Sequence, residues 1–131
     1  MKRCILILAA GVMALGVMTE AQAYDKEQLQ AIKSGEKDCP RCDLSNADLH
    51  DLDLTKVNLA GANLEGAVLC RSDLTGANLK GARFAGARID QVDFTKVKLA
   101  GVNLSKAWCD FTTKLPAGSG YTCEGVILTR N

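Results

Sequence analysis

From Leu44 onward an apolar residue returns at every fifth position: Leu44, Leu49, Leu54, Leu59, Leu64, Leu69, Leu74, Leu79, Phe84, Ile89, Phe94, Leu99 and Leu104, with Cys109 in the same phase. Two residues earlier runs a second, mostly small series, from Cys42 and Ala47 through Ala62, Ala67, Ser72, Ala77, Ala82 and Ala87 to Val102 and Ala107. A period of five fits neither the 3.6 of a helix nor the 2 of a strand. Held over fourteen repeats, it predicts a stacked solenoid in which each repeat buries its apolar pair against its neighbours. Residues 53–61, 73–81 and 93–101 read DLTKVNLAG, DLTGANLKG and DFTKVKLAG, so the pattern matches best at a spacing of 20. One coil is therefore four five-residue sides, and residues 20 apart stack about 4.8 Å from each other, as neighbouring strands do. The expected core is a set of like-on-like ladders, among them Leu44/Leu64/Phe84/Leu104 and Leu54/Leu74/Phe94. With only six aromatics in 131 residues, burial has to come from many side chains of small and medium size.

A bare coil exposes unpaired backbone, so the ends need covers. Asp25 can cap a helix over residues 26–33, with Gln28 at the capping-box position and Leu29 and Ile32 toward the first coil. Ser34-Gly35 ends it. Beyond the repeats, Pro116, Gly118 and Gly120 break the period, and residues 121–129 can fold back to set Val126 and Leu128 or Ile127 over the last coil. The expected organisation is a targeting segment (1–23), a capping helix region (24–38), an all-β solenoid (39–110) and an irregular C-terminal cap and tail (111–131).

The targeting segment has Lys2 and Arg3 followed by an apolar run from Cys4 to Met18, and ends in Ala-Gln-Ala at residue 23, the small-x-small pattern of signal-peptidase sites. Fifteen apolar residues make a helix of about 22 Å, short of the roughly 30 Å hydrocarbon core, which favours a cleaved export signal over a retained anchor. Export would place the chain in the periplasm or outside the cell, where disulfides persist. Removing 1–23 leaves 14 of 16 basic and 14 of 15 acidic side chains, net zero. A neutral chain lacks the field that draws proteins to nucleic acid or to an anionic membrane.

Five cysteines then remain. Cys39 and Cys42 span a turn and fall on inward phases, which suits a structural bridge; a redox pair needs a strand-to-helix setting, and zinc needs ligands that are not nearby. Cys109 and Cys123 can close the loop around Pro116. Cys70 is left over, an outward-pointing free thiol. Its column, His50/Cys70/Asp90, places Cys between the other two, so Asp90 would lie about 9.6 Å from the histidine it would have to orient. Asp53, Asp73 and Asp93 form an outward column beside Thr55, Thr75 and Thr95; such carboxylates cap their own turns more readily than they hold a cation.

One face lacks the regularity of the others. It carries His50, Val68, Cys70, Arg71, Arg88, Asp90, Trp108 and Phe111, mixing the lone histidine and tryptophan with apolar and charged residues. Two readings stay open: a protein-binding patch, or Trp108 and Phe111 packed under the C-terminal tail.

Ala47-Asp-Leu, Ala62-Asn-Leu-Glu-Gly and Ala77-Asn-Leu-Lys-Gly resemble the pentapeptide-repeat family, whose motif is A-(D/N)-L-x-x, over residues 42–109. The resemblance implies a right-handed, quadrilateral β-helix. Arg83, Arg88, Lys98, Val68 and Trp108 stand where Asp or Asn is usual, departures that should alter turn type locally. Some family members mimic DNA and bind topoisomerases, but residues 43–110 hold nine acids against eight bases, far from an acidic mimic. The resulting expectation is an exported, non-catalytic scaffold, without cofactor, metal or nucleic acid, that presents one face to a protein partner. The alternative is an extracytoplasmic thiol protein working through Cys39/Cys42 or Cys70. Dimerisation through an end of the solenoid or through Cys70 is a further expectation.

Overall fold

A computed structural model describes residues 24–124 and 127–130. The targeting segment 1–23 and Val126 lie outside the described residues.

The repeats coil as their period requires. Parallel bridges join residues 20 apart from Asp38↔Asn58 through Arg88↔Trp108, four to each coil. Each bridge is one residue long and uses two hydrogen bonds: Leu44 N–H donates to the Asn63 carbonyl (2.8 Å), and Asn63 N–H to that of Cys42 (2.8 Å). A side of five residues has room for no more, because a turn follows at once. Ala47 N–H closes the turn on the Leu44 carbonyl (3.1 Å), with Asn46 at φ 58° as its second central residue, the arrangement of a type II turn.

The Asp/Asn of each repeat explains itself at these corners. Nine of them, including Asp53, Asn58, Asn63 and Asn103, accept from the N–H two residues on, an Asx turn that prepares the corner. Left-handed backbone at non-glycine residues costs roughly 1–2 kcal/mol, and Asn46, Lys56, Arg71, Gln91 and Lys106 adopt it here. Positive φ recurs at every fifth residue from Arg41 to Lys106 with one exception, Lys96. The corners that follow Val68, Arg83 and Arg88 keep it, so losing the Asp/Asn does not by itself change the turn.

Inside, Leu44, Leu54, Leu64, Leu74, Phe84, Phe94 and Leu104 are all fully buried, as are Leu49, Leu69 and Ile89. Phe84 and Phe94 meet edge to face, centroids 6.3 Å apart. Ser72, standing where alanine is usual, donates its hydroxyl to the Leu49 carbonyl and accepts from Leu52 N–H (3.1 Å), so its burial leaves nothing unpaired.

Helix α1 (Lys26–Lys33) starts on Asp25, whose carboxylate accepts from Glu27 and Gln28 N–H, and it buries Leu29 and Ile32 in the same core. Gln28 Oε1 accepts from Asp43 N–H (2.8 Å), stitching the helix to the first coil. At the other end the ladder runs past residue 110: the last bridge is Asp93↔Lys114, a step of 21. Strands β1 (Tyr121–Glu124) and β2 (Ile127–Arg130) then form an antiparallel hairpin. Tyr121 Oη donates to the Val102 carbonyl (3.1 Å), fastening the hairpin to the last full coil.

Phe84→Ala removes one of the largest fully buried side chains and is expected to cost about 3–5 kcal/mol in urea unfolding. Leu99→Ala, at the one ladder position only partly buried, should cost well under that.

Candidate functional site

The irregular wall is built on the column Asp48–Val68–Arg88–Trp108, whose members are bridged in that order. Only Asp48 of the four can make an Asx turn, so this wall gives up a regular corner for side chains of other chemistry. Asp48 accepts from His50 N–H (3.3 Å) and faces the ring Nδ1 of His50, while Nε2 lies 3.8 Å from Asp51 Oδ2. Asp51 in turn receives Arg71 (2.7 Å) from the next coil. One coil up, Arg88 pairs with Asp90 (3.0 Å), both largely covered. The wall is thus a lattice of paired charges.

Cys70 is corrected. It is not an outward thiol: the residue is fully buried and its sulfur is bonded in a disulfide, 3.5 Å from Asp90 Oδ2. Ser45 and Asp110 in the same phase are buried too, whereas Ala100 and Ser105 are exposed. In this structure Cys70 is therefore not an exposed free thiol. The structure also joins Cys39 to Cys42 (Cα 5.5 Å apart) and Cys109 to Cys123 (6.1 Å).

Trp108 and Phe111 do not pack under the tail. Trp108 is 47 % exposed and Phe111 91 %. The cause is the 21-residue step: one extra residue widens the last corner, residues 110–113, and Phe111 sits on it. Asp110 holds that corner from within, only 6 % exposed and accepting from Gln91, Thr112 and Thr113 N–H (3.3, 3.0 and 3.1 Å) and from the Thr112 and Thr113 hydroxyls. Burial pushes its carboxyl up, but these donors outweigh it and hold the group below the usual carboxylate range. The signal was in the sequence: Asp110 is followed by two threonines placed to reach back to it.

The column Asp53/Asp73/Asp93 caps its own corners, each carboxylate accepting from the N–H of the threonine two residues on. Asp53 and Asp93 are held below the usual range chiefly by the Thr55 and Thr95 hydroxyls, with Lys37 and Lys114 adding to it.

Because Asp110 titrates lower folded than unfolded, its stabilisation is in force above the ordinary carboxylate range and fades as pH falls through the depressed value. Asp110→Ala should cost on the order of 1–3 kcal/mol near pH 7, and the gap to the parent should narrow at pH 3 in paired urea titrations. A gap that stays constant with pH would contradict this account.

Residues 36–59, 53–91 and 77–108 match the family model of pentapeptide repeats, eight copies, over more than half of the chain. Among solved structures, the pentapeptide-repeat protein alr5209 of Nostoc is 30 % identical over 70 % of this chain and 84 % of its own, with a TM-score of 0.34. Rfr23 of the cyanobacterium Cyanothece is 30 % identical over 59 % of this chain and 63 % of its own (TM-score 0.29). HetL of Nostoc, a pentapeptide-repeat protein involved in the regulation of heterocyst differentiation, is 28 % identical over 60 % and 43 % (TM-score 0.26). No curated protein matches this chain. With that match over more than half of its length, the chain belongs to the pentapeptide-repeat family, whose fold is the right-handed quadrilateral β-helix.

Proposed function

We propose that the protein is an exported, non-catalytic scaffold: about fourteen repeats closed by helix α1 and the C-terminal hairpin, docking a protein partner on the irregular wall. The observation that carries this reading is Phe111, an exposed aromatic on a corner that buried Asp110 fixes with its hydrogen bonds. Exposed aromatics on rigid backbone lose little entropy on binding and are the usual anchors of interfaces. Trp108 lies three residues away on the last coil, and the ion pairs of the wall form the polar surround an interface rim requires. Export is supported by the segment 1–23 and by disulfides at Cys39–Cys42 and Cys109–Cys123, which suit an oxidising compartment. The thiol-protein alternative is less well supported, since Cys39 and Cys42 are buried and bonded to each other.

A photo-crosslinking side chain placed at position 111 should capture one discrete partner in the native compartment, and the same group at Lys80, on the opposite side of the coil, should not. Equal labelling at both positions, or none at 111, sinks the assignment. Intact mass of the recovered chain tests export: it should begin at Tyr24.

A further inference from the structure

The ladder is loosest on the wall opposite the irregular one and on the Asp73/Asp93 wall that leads to it. The bridges Asp73↔Asp93 and Asn78↔Lys98 are kept, but among the described residues no hydrogen bond of ordinary length and angle joins 72–81 to 92–101, although the coils below and the adjoining sides above are fully laddered. Lys56 N–H donates to the Thr75 carbonyl and Leu59 N–H to that of Asn78, yet one coil on the equivalent N–H groups of Gly76 and Leu79 make no bond of that quality. Residues 92–101 bring Val92, Phe94 and Val97 over Ser72, Leu74 and Ala77, bulk that a close-packed stack has to accommodate. Lys98, standing where Asn58 and Asn78 stand below, supplies no Asx turn, and Lys96 is the corner without left-handed backbone.

Over this seam lies a cavity of about 420 Å³ lined by Gly76, Asn78, Lys80, Lys96, Lys98 and Ala100 among others. Three lysines face it and no carboxylate lines it. None of the three has an ion-pair partner among the described residues, while Asp93, the carboxylate on the edge of the seam, is engaged by Lys114 (3.5 Å). Uncompensated like charges around one concavity repel each other, and the arrangement is stabilised by an anion that neutralises them.

We propose that this cavity binds a small soluble phosphate-bearing anion. Lys80, Lys96 and Lys98 supply the charge-assisted hydrogen bonds, and the loosely paired N–H groups of the seam, that of Gly76 on the cavity wall first, are donors for the remaining oxygens. The volume admits a ligand well beyond inorganic phosphate in size, so the non-phosphate part is carried between Asn78 and Ala100. The site is independent of the partner wall.

The test is calorimetric titration of the full chain with inorganic pyrophosphate at fixed ionic strength. Saturable one-to-one binding is expected, weakened about tenfold or more by Lys96→Gln with Lys98→Gln. The charge-matched pair Lys56→Gln with Lys106→Gln, outside the cavity, should bind as the parent does. Amide NMR shifts in the unmodified chain give a readout that needs no variant: Gly76, Leu79 and Lys98 should move on titration. Non-saturating heats, equal loss in both lysine pairs, or shifts spread over the lysines without those three amides would overturn the proposal.

Discussion

Everything in this fold depends on one bridge per side. A five-residue side contributes a single residue to the parallel ladder, so no part of the wall has a strand's worth of pairing on its own. Stability comes from keeping the 20-residue register through every coil, because a slip of one residue would turn the leucine series outward and the Asp/Asn series inward. Two devices keep it. The like-on-like ladders fill the interior, and the Asx turns with left-handed corners end each side at the same length. The motif is thus a register device: the apolar residue sets the inside, and the carboxylate or amide sets the corner.

It follows that a wall can change its chemistry only where the register is held by something else. On the irregular wall Val68, Arg88 and Trp108 replace the Asp/Asn, and the ladder there is intact, with Leu69, Ile89 and Trp108 hydrogen-bonded through the column. Ion pairs between coils, such as Arg71–Asp51, act across the same gap the bridges span. On the opposite wall the substitution of Lys98 coincides with extra bulk inside, and there the bridge Asn78↔Lys98 persists without hydrogen bonds of ordinary geometry. The same kind of surface change therefore leaves one wall rigid and the other loosened, and what lies behind the wall decides which.

The period of five made the coil, its four sides and its core ladders legible from spacing alone, and the capping signals Asp25, Gln28 and Ser34-Gly35 did the same for the helix at residues 26–33. Three features were not legible. The extra residue at 110–113 shifts the last bridge to Lys114, and no spacing rule announces an insertion at the final corner. Cys70 is buried at a phase where Ser45 is buried but Ala100 and Ser105 are exposed, so spacing alone does not decide that position. The looser hydrogen bonds between 72–81 and 92–101 follow no break in the apolar pattern, since Val92, Phe94 and Val97 keep the inward phases.

The disulfides sharpen the contrast between ends and middle. A stack in which each coil touches only its neighbours frays from its termini, so cross-links there act where opening begins. Cys39–Cys42 ties the first corner of the solenoid, and Cys109–Cys123 holds the hairpin to the last coil beside the corner that carries Phe111. That second bridge and the buried Asp110 fix the backbone on either side of one exposed aromatic. A protein that only needed to end its solenoid could have covered the last coil with apolar residues and left Phe111 inside. Building an extra residue, a buried carboxylate and a cross-link around an exposed ring makes sense when the ring has to stay outside, in one place, for something else to cover.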